Sequence, residues 1–283
     1  MSYNTNTLVL GQSLRHVALN GSDTETKVVA KTPKLRFSYQ KVVTDRLNQK
    51  RRSHPPSYYL KENLKSIVRN CKWDHQDWIF LVTGMEGSGK SNLAISVASE
   101  MDPTFSIKEG MIYELGDYVN FLEKYRSVPF KALVFDEAIS VLFSRQHATR
   151  ESKAFIEFMN ENRQLKHFMI FVVPSPFNID IDIRERRFKT MLYVFHNRKT
   201  RVRKYAFYSQ RIMIQHMNDG MRKLFGNPTL FMRHAPPLYV ETFERMPKKL
   251  RKKYKAAKMN FLDGKYNELR RASDKSKSEK LKK

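Results

Sequence analysis

Acidic residues and cysteines are scarce in this sequence of 283 residues. It contains 28 Asp and Glu against 53 Lys and Arg, which gives a formal net charge of +25. A surplus of this size predicts a polyanionic partner, for which nucleic acid is the usual candidate. The single cysteine, Cys71, excludes an intramolecular disulfide, and we interpret it as a small buried apolar residue.

Long hydrophobic runs are also missing. The longest one, Phe168 to Val173, is far shorter than the roughly 18 residues of a membrane-spanning helix. The N-terminal stretch MSYNTNTLVLGQSLRHVALNGSDTET has no basic start followed by an apolar block, so it is not expected to be a signal peptide. The sequence therefore predicts no direct membrane insertion and a cytoplasmic location, which for a viral protein is the cytoplasm of the host.

The positive charge is concentrated at the two ends of the chain. Residues 1–70 contain 13 basic and 4 acidic residues, and residues 247–283 contain 15 and 4. Residues 1–54 are polar and weakly periodic, which predicts a basic arm with little fixed structure. We expect the basic ends to contact the phosphates of nucleic acid, with DNA as the expected polymer. The alternative is a polycation that only keeps the chain soluble.

The C-terminal region is expected to be helical from Tyr239 onward. One apolar stripe is approximated there by Phe243, Leu250, Tyr254, Ala257 and Phe261, and lysines fill most of the other positions. Residues 247–283 are thus predicted to form a basic helical tail. Its last dozen residues, ASDKSKSEKLKK, are predicted to be disordered.

Between the two basic ends, short apolar runs alternate with helical patterns. The predicted strands are 79–83, 111–115, 131–135, 168–173, 191–196 and 205–208, and the predicted helices are 57–70, 91–101, 118–125 and 150–165. Continuous apolar strands that alternate with helices predict an α/β fold, with a largely parallel sheet flanked by helices. The last two strands flank NRKTRVR, which predicts a basic hairpin and a second candidate for nucleic-acid contact, at residues 198–204.

A glycine-rich motif, GMEGSGKS, lies between the first strand and the next helix. It matches G-x-x-x-x-G-K-[ST], in which glycines let backbone N–H groups converge on a phosphate. We predict that Lys90 reaches the β- and γ-phosphates of ATP and that the Ser91 hydroxyl ligates Mg²⁺. The predicted nucleotide-binding residues are Gly84, Met85, Glu86, Gly87, Ser88, Gly89, Lys90, Ser91 and Asn92. Residues 55–246 are accordingly predicted to form a P-loop ATPase domain with a leading helix and a C-terminal hairpin.

Two acidic residues follow the buried strand KALVF. We predict that Asp136 holds Mg²⁺ through water and that Glu137 acts as the base for an attacking water. About 45 residues separate Ser91 from Asp136, which is room for a helix, a strand and another helix. The strand that carries Asp136 is therefore not expected to neighbour the phosphate-loop strand in sequence order. This layout is that of P-loop ATPases with an additional strand and a catalytic glutamate.

The segment FIEFMNENRQLKHFMIFVVPSPFNIDIDIRERRFKTMLYVF resembles the HerA/FtsK superfamily of DNA-pumping ATPases, within it the zonula occludens toxin-like branch of phage assembly ATPases. The likeness covers roughly residues 76–197. It implies a polar sensor after the strand, at Ser175 or alternatively Asn178. It also implies a catalytic arginine that reaches the ATP of a neighbouring subunit. The candidates are Arg163 before the strand and Arg184, Arg186 and Arg187 after the turn.

These observations favour an ATP-hydrolysing motor that moves or packages DNA of a virus or mobile element, working as a homo-oligomeric ring. The phage assembly proteins carry a membrane helix and an outer domain that this sequence lacks, which favours a soluble motor over virion extrusion. One alternative is an ATP-dependent DNA-binding switch or adaptor that does not translocate. Another is a nucleotide-gated scaffold for virion or pilus assembly with little affinity for DNA.

Overall fold

The computed structural model describes residues 56–136, 163–179, 181–197, 199–200 and 202–280. The predicted arm at 1–54 and most of the predicted helix at 150–165 lie outside these residues. Seven strands form one sheet: β1 (Trp78–Gly84), β2 (Met111–Ile112), β3 (Ala132–Asp136), β4 (Phe168–Val172), β5 (Thr190–His196), β6 (Arg203–Ser209) and β7 (Tyr239–Thr242).

The strand order is β2-β3-β4-β1-β5-β6-β7. The five strands from β2 to β5 pair in parallel, and β6 and β7 extend the sheet with antiparallel pairings. The strand β4 lies between β1 and β3, so the strand that carries Asp136 does not neighbour the phosphate-loop strand. The largely parallel α/β fold and the inserted strand are both confirmed.

The helices are α1 (Tyr58–Asp74), α2 (Lys90–Met101), α3 (Ile107–Gly110), α4 (Leu115–Tyr125), α5 (Ile181–Arg186), α6 (Gln210–His216), α7 (Pro228–His234) and α8 (Lys248–Lys280). They cover the sheet on both sides, because two separate apolar clusters form around alternate residues of the same strands. In β1, for example, Ile79 and Leu81 belong to one cluster, and Phe80 and Val82 belong to the other. Among the described residues, each helix is too short or too polar to span a membrane.

Three predictions about local structure are wrong. The expected strand at 111–115 ends after Ile112, because α4 begins at Leu115 with a capping box between Glu114 and Asp117. The chain is not helical from Tyr239, because β7 pairs there with β6. The helix α8 continues to Lys280, within the stretch predicted to be disordered; Ala, Lys and Glu are good helix formers, which suits this extension.

The apolar stripe of α8 is confirmed as a packing surface. Leu250, Tyr254 and Ala257 are partly buried against the cluster that includes α1 and α2, and the ring of Phe261 stacks on Tyr113 with centroids 4.9 Å apart. Because α2 begins at the phosphate loop, this packing places α8 next to the candidate site.

Candidate nucleotide-binding site

The phosphate loop has the backbone geometry that the motif predicts. Gly84, Gly87 and Gly89 all have positive φ angles, of 134°, 66° and 100°. At Gly84 a Cβ atom would lie 2.0 Å from the backbone oxygen of Val194, so only glycine allows the loop to pass β5 this closely. The loop is thus fixed against the sheet at its first residue.

The end of the loop presents a helix N-terminus. The helix α2 begins at Lys90, has Gly89 as its N-cap without a side-chain cap, and has no acidic residue in its first turn. Unpaired N–H groups and the positive end of the helix dipole suit an anion at this position. The Lys90 ammonium group donates to the backbone oxygens of Gly84 and Met85, at 3.2 and 3.1 Å, and so bends back over the loop.

A second cation lies beside the loop and comes from β6. The guanidinium of Arg203 is so close to Gly89 that a Cβ there would lie 3.1 Å from its Nη1 atom. Burial, followed by the charges of Arg245 and Arg251, lowers the pKa of Arg203. The Arg203 guanidinium is thus a partly desolvated cation beside the loop, which a phosphate group would stabilise. The sequence analysis placed Arg203 only in the basic hairpin.

The two predicted metal ligands meet at the end of β3. The Ser91 hydroxyl donates to Oδ1 of Asp136 at 2.8 Å, and Asp136 is 2% exposed. A hydroxyl and a carboxylate are the hard oxygen ligands that Mg²⁺ prefers, so these residues fit such an ion. Among the described residues, no group of three or more His, Cys, Asp or Glu could hold a metal. Glu137, the predicted base, lies outside the described residues.

The other oxygen of Asp136 is held by α8. Oδ2 accepts hydrogen bonds from the Tyr254 hydroxyl at 2.7 Å and from the Lys258 ammonium at 3.3 Å. The Tyr254 hydroxyl also interacts with the Ser91 side chain. Burial and the neighbouring Asp136 raise the pKa of Tyr254 to about 12, so the phenol keeps its proton at ordinary pH. The sequence analysis missed both contacts, although it placed Tyr254 on the packed stripe.

The comparisons with known proteins agree with this geometry. Residues 80–195 match the family model described as "ATPase family associated with various cellular activities (AAA)". The match includes the phosphate loop and Asp136. The chain contains an AAA-type P-loop ATPase domain. A comparison with curated proteins gives no match.

Several solved structures are similar to the ATPase domain. The N-terminal domain of zonular occludens toxin from Neisseria meningitidis is 15% identical, with a TM-score of 0.40, and the match covers 62% of this chain and 97% of that one. The genome packaging NTPase B204 from Sulfolobus turreted icosahedral virus 2, in complex with ATP-gammaS, is 16% identical, with a TM-score of 0.32 and coverage of 48% and 92%.

Ser175, the predicted sensor, lies just after the strand that separates β1 from β3. The strand β4 ends between the ends of β1 and β3, and Ser175 follows it. The Ser175 hydroxyl accepts from the backbone N–H of Phe177 at 3.3 Å and so caps a short 3-10 helix, Pro176–Asn178. Asn178, the alternative sensor, is the last residue of that helix. The position fits the sensor role, which stays a prediction for both residues.

The predicted arginine finger is corrected for two residues. Arg184 is 2% exposed, with its Nη2 atom 3.4 Å from the backbone oxygen of Met217 and its guanidinium over the ring of Phe177. Arg187 forms an ion pair with the buried Asp77 at 3.4 Å. Buried charges need such partners, and a residue held in this way within its own chain is unsuited to reach another subunit.

Arg163 and Arg186 are exposed, and they remain the candidates for the finger.

Asn92, in the first turn of α2, has a structural contact of its own. Its side-chain amide donates to the backbone oxygen of Glu244 at 3.0 Å and accepts from the N–H of Met246 at 2.7 Å. Both ends of the amide hold the segment that leads into α8. The Asn92 side chain therefore anchors the C-terminal helix to α2, and nucleotide binding by Asn92 stays a prediction.

Proposed function

We propose that this chain is an ATP-hydrolysing motor that translocates or packages DNA, working as a homo-oligomeric ring with Mg²⁺ as cofactor. One observation carries the proposal: the helix with the densest positive charge touches the nucleotide site. Tyr254 and Lys258 of α8 contact Asp136, while the cations Lys248, Lys249, Arg251, Lys252, Lys253 and Lys255 on the same helix are exposed. A change at the nucleotide site can therefore move a surface suited to DNA phosphates.

Different residues have different roles in the hydrolysis of ATP. The loop amides, Lys90 and Arg203 bind the triphosphate and offset its charge. Glu137 takes a proton from a water whose oxygen attacks the γ-phosphorus, as the bond from that phosphorus to the ADP oxygen breaks. A Mg²⁺ ion held by Ser91 and Asp136 would supply further charge neutralisation on the phosphates. Glu137→Gln is expected to bind ATP and to lose hydrolysis.

The ring is proposed because the resemblance to DNA-pumping ATPases implies a further arginine that is supplied in trans. The described parts of the ATPase domain place Lys90 and Arg203 beside the loop in cis, whereas Arg184 and Arg187 are held by other residues of the chain. We propose Arg163, exposed just before β4, as the group that completes the site of a neighbouring subunit. A rate of ATP hydrolysis per chain that does not depend on protein concentration would contradict this arrangement.

The experiment is an ATPase and DNA-binding assay on the full chain. One variant replaces Lys248, Lys249, Lys252 and Lys255 by Gln and leaves the contacts with Asp136 in place. Its matched control replaces four exposed cations of α1, namely Lys61, Lys65, Arg69 and Lys72, by Gln.

We expect duplex DNA to stimulate hydrolysis by the wild-type chain and by the control but not by the α8 variant. The slope of log affinity against log salt should become shallower by about 0.9 for each DNA phosphate that the helix no longer neutralises. ATP-dependent DNA binding without stimulated hydrolysis would indicate the switch instead. Hydrolysis indifferent to DNA would indicate the assembly scaffold.

A further inference from the structure

The helix α8 occupies the side of Asp136 that a metal–nucleotide complex needs. Oδ1 of the carboxylate is bonded to Ser91, and Oδ2 is bonded to both Tyr254 and Lys258. The carboxylate is buried, and the side chains of Ser91, Tyr254 and Lys258 lie around its two oxygens. Two residues of α8, one turn apart, thus cap the acidic group at which the ATPase domain is expected to hold its cation.

The contact of Lys258 competes with a divalent cation at the same carboxylate. An ammonium 3.3 Å from Oδ2 already neutralises Asp136, and a second cation nearby would be repelled strongly in this buried setting. The Tyr254 hydroxyl, which interacts with Ser91 as well, donates to an oxygen that water on the metal would otherwise bond. Binding of a magnesium–nucleotide complex therefore requires both side chains to leave Asp136.

The docking of α8 is weak enough to be reversed. On its inner face, Leu250, Tyr254 and Ala257 are only partly buried, and Phe261 adds one stacked ring against Tyr113. The neighbouring Met259, Leu262 and Tyr266 are exposed, at 55%, 43% and 72%. Helices with so few buried apolar contacts open at low cost in free energy.

Like charges oppose the docked position further. Arg251 at the start of α8 and Arg245 before it lie close enough to Arg203 to lower its pKa. Asn92 meanwhile holds residues 244 and 246, which gives the helix a fixed pivot at its N-terminal end. A helix that is held firmly at its N-terminal end and packed loosely beyond it can rotate away from the site about that end.

We propose that α8 is an autoinhibitory gate, in which Tyr254 and Lys258 cap Asp136 and are displaced when a magnesium–nucleotide complex binds. The gate rests on the nucleotide site of the ATPase domain and not on translocation. It deepens the proposed function by giving that site a regulatory element. The gate lowers the apparent affinity of the chain for nucleotide, since only the fraction of molecules with an open gate can bind it.

The test measures the affinity of the full chain for a fluorescent, non-hydrolysable ATP analogue with Mg²⁺, together with hydrogen exchange of the backbone amides of 248–262. The double variant Tyr254→Phe with Lys258→Met removes both contacts and keeps the size of the side chains. The matched control is Tyr266→Phe with Lys255→Met, which makes the same chemical changes at exposed positions of the same helix.

We expect the double variant to bind the analogue about tenfold more tightly than the wild-type chain, since the closed state loses hydrogen bonds to a charged group. The control should stay within about twofold of the wild type. Nucleotide should accelerate amide exchange at 248–262 in the wild-type chain.

Weaker or unchanged binding by the double variant would overturn the gate, as would slower exchange on nucleotide binding, because α8 would then be completing the site instead of covering it. A failure of DNA to stimulate hydrolysis would contradict the motor but leave these results unaffected.

Discussion

The phosphate side and the metal side of the nucleotide site are built in different ways. On the phosphate side, the loop from Gly84 to Ser91 is contiguous in sequence and is pressed against β5 at Gly84, where even a methyl group would collide with Val194. On the metal side, Asp136 is satisfied by Tyr254, 118 residues further along the chain. The phosphate side is formed by one continuous loop, and the metal side is shared with a helix that has few buried contacts.

The two sides can therefore have different roles, with nucleotide binding at the phosphate side and regulation of that binding at the metal side. A phosphate loop whose backbone is already formed in the folded domain needs little rearrangement of its own to bind, which favours affinity. A metal side that is covered by a helix can make the same site depend on what else contacts that helix. The basic face of α8 makes DNA the natural candidate for that second contact.

The largest effect is expected on the phosphate side. Lys90→Ala removes the ammonium that bends over the loop, and we expect the affinity for ATP to fall at least about 100-fold, or about 2.7 kcal/mol. Titration with a fluorescent ATP analogue measures this change. The control is Lys108→Ala, at an exposed position of α3. An equal loss of ATP affinity in the Lys90 and Lys108 variants would contradict the assigned role of the phosphate side, since the loop would then not be the element that binds ATP.

A smaller effect with two opposite signs is expected for Arg203→Met. Without nucleotide, the variant should be more stable than the wild-type chain, because repulsion from Arg245 and Arg251 is relieved. With nucleotide, its affinity should fall about fivefold, because one charge-assisted hydrogen bond to phosphate is removed. Thermal unfolding with and without ATP measures both signs. A loss of stability in both conditions would show that Arg203 only supports the structure.

The last effect concerns stability and not nucleotide affinity, and it lies at the N-terminal ends of the parallel strands, away from the site, which makes it a reference. His167, directly before β4, is fully buried, and neither of its ring nitrogens has a hydrogen-bond partner among the described residues. Burial lowers its pKa to about 4, a shift that Lys131 reinforces and Asp102 opposes. Since the unfolded chain takes up this proton near pH 6.5, stability is present above that pH and is lost as the pH falls towards 4.

His167→Leu should therefore reduce the loss of unfolding free energy between pH 7 and pH 4.5 by about 2–3 kcal/mol. Denaturant unfolding at both pH values measures this loss, and nucleotide should not alter the difference between the variant and the wild-type chain. An identical pH dependence in the two proteins would contradict a neutral buried histidine at this position.

The sequence was sufficient for the phosphate loop and for the separation of β1 from the strand that carries Asp136. The motif from Gly84 to Ser91 is local, and the roughly 45 residues between Ser91 and Asp136 leave room for further elements, which predicts that β1 and the strand of Asp136 are not neighbours. The contacts of Tyr254 and Lys258 could not be predicted, because they depend on how a distant helix docks. The stripe through Leu250 and Phe261 predicted only that one face of this helix packs.

The arginines show a second limit of the sequence. The pattern of Arg184 and Arg187 after the turn is that of catalytic arginines, yet both are used within the chain, one against Met217 and Phe177 and the other against Asp77. Asp77 is a partner that precedes β1 by one residue and is remote in sequence from Arg187. Arg203, which has no motif, lies beside the loop because β6 pairs with β5.

The most direct measurement is the affinity of the full chain for duplex DNA with and without a non-hydrolysable ATP analogue and Mg²⁺, at one fixed salt concentration. If the nucleotide site and the basic helix share Asp136 as described, nucleotide releases Lys258 and DNA should bind about fivefold more tightly or better. By linkage, DNA should raise the affinity for the analogue by the same factor. An affinity for DNA that nucleotide leaves unchanged, or weakens, would contradict the coupling of the two.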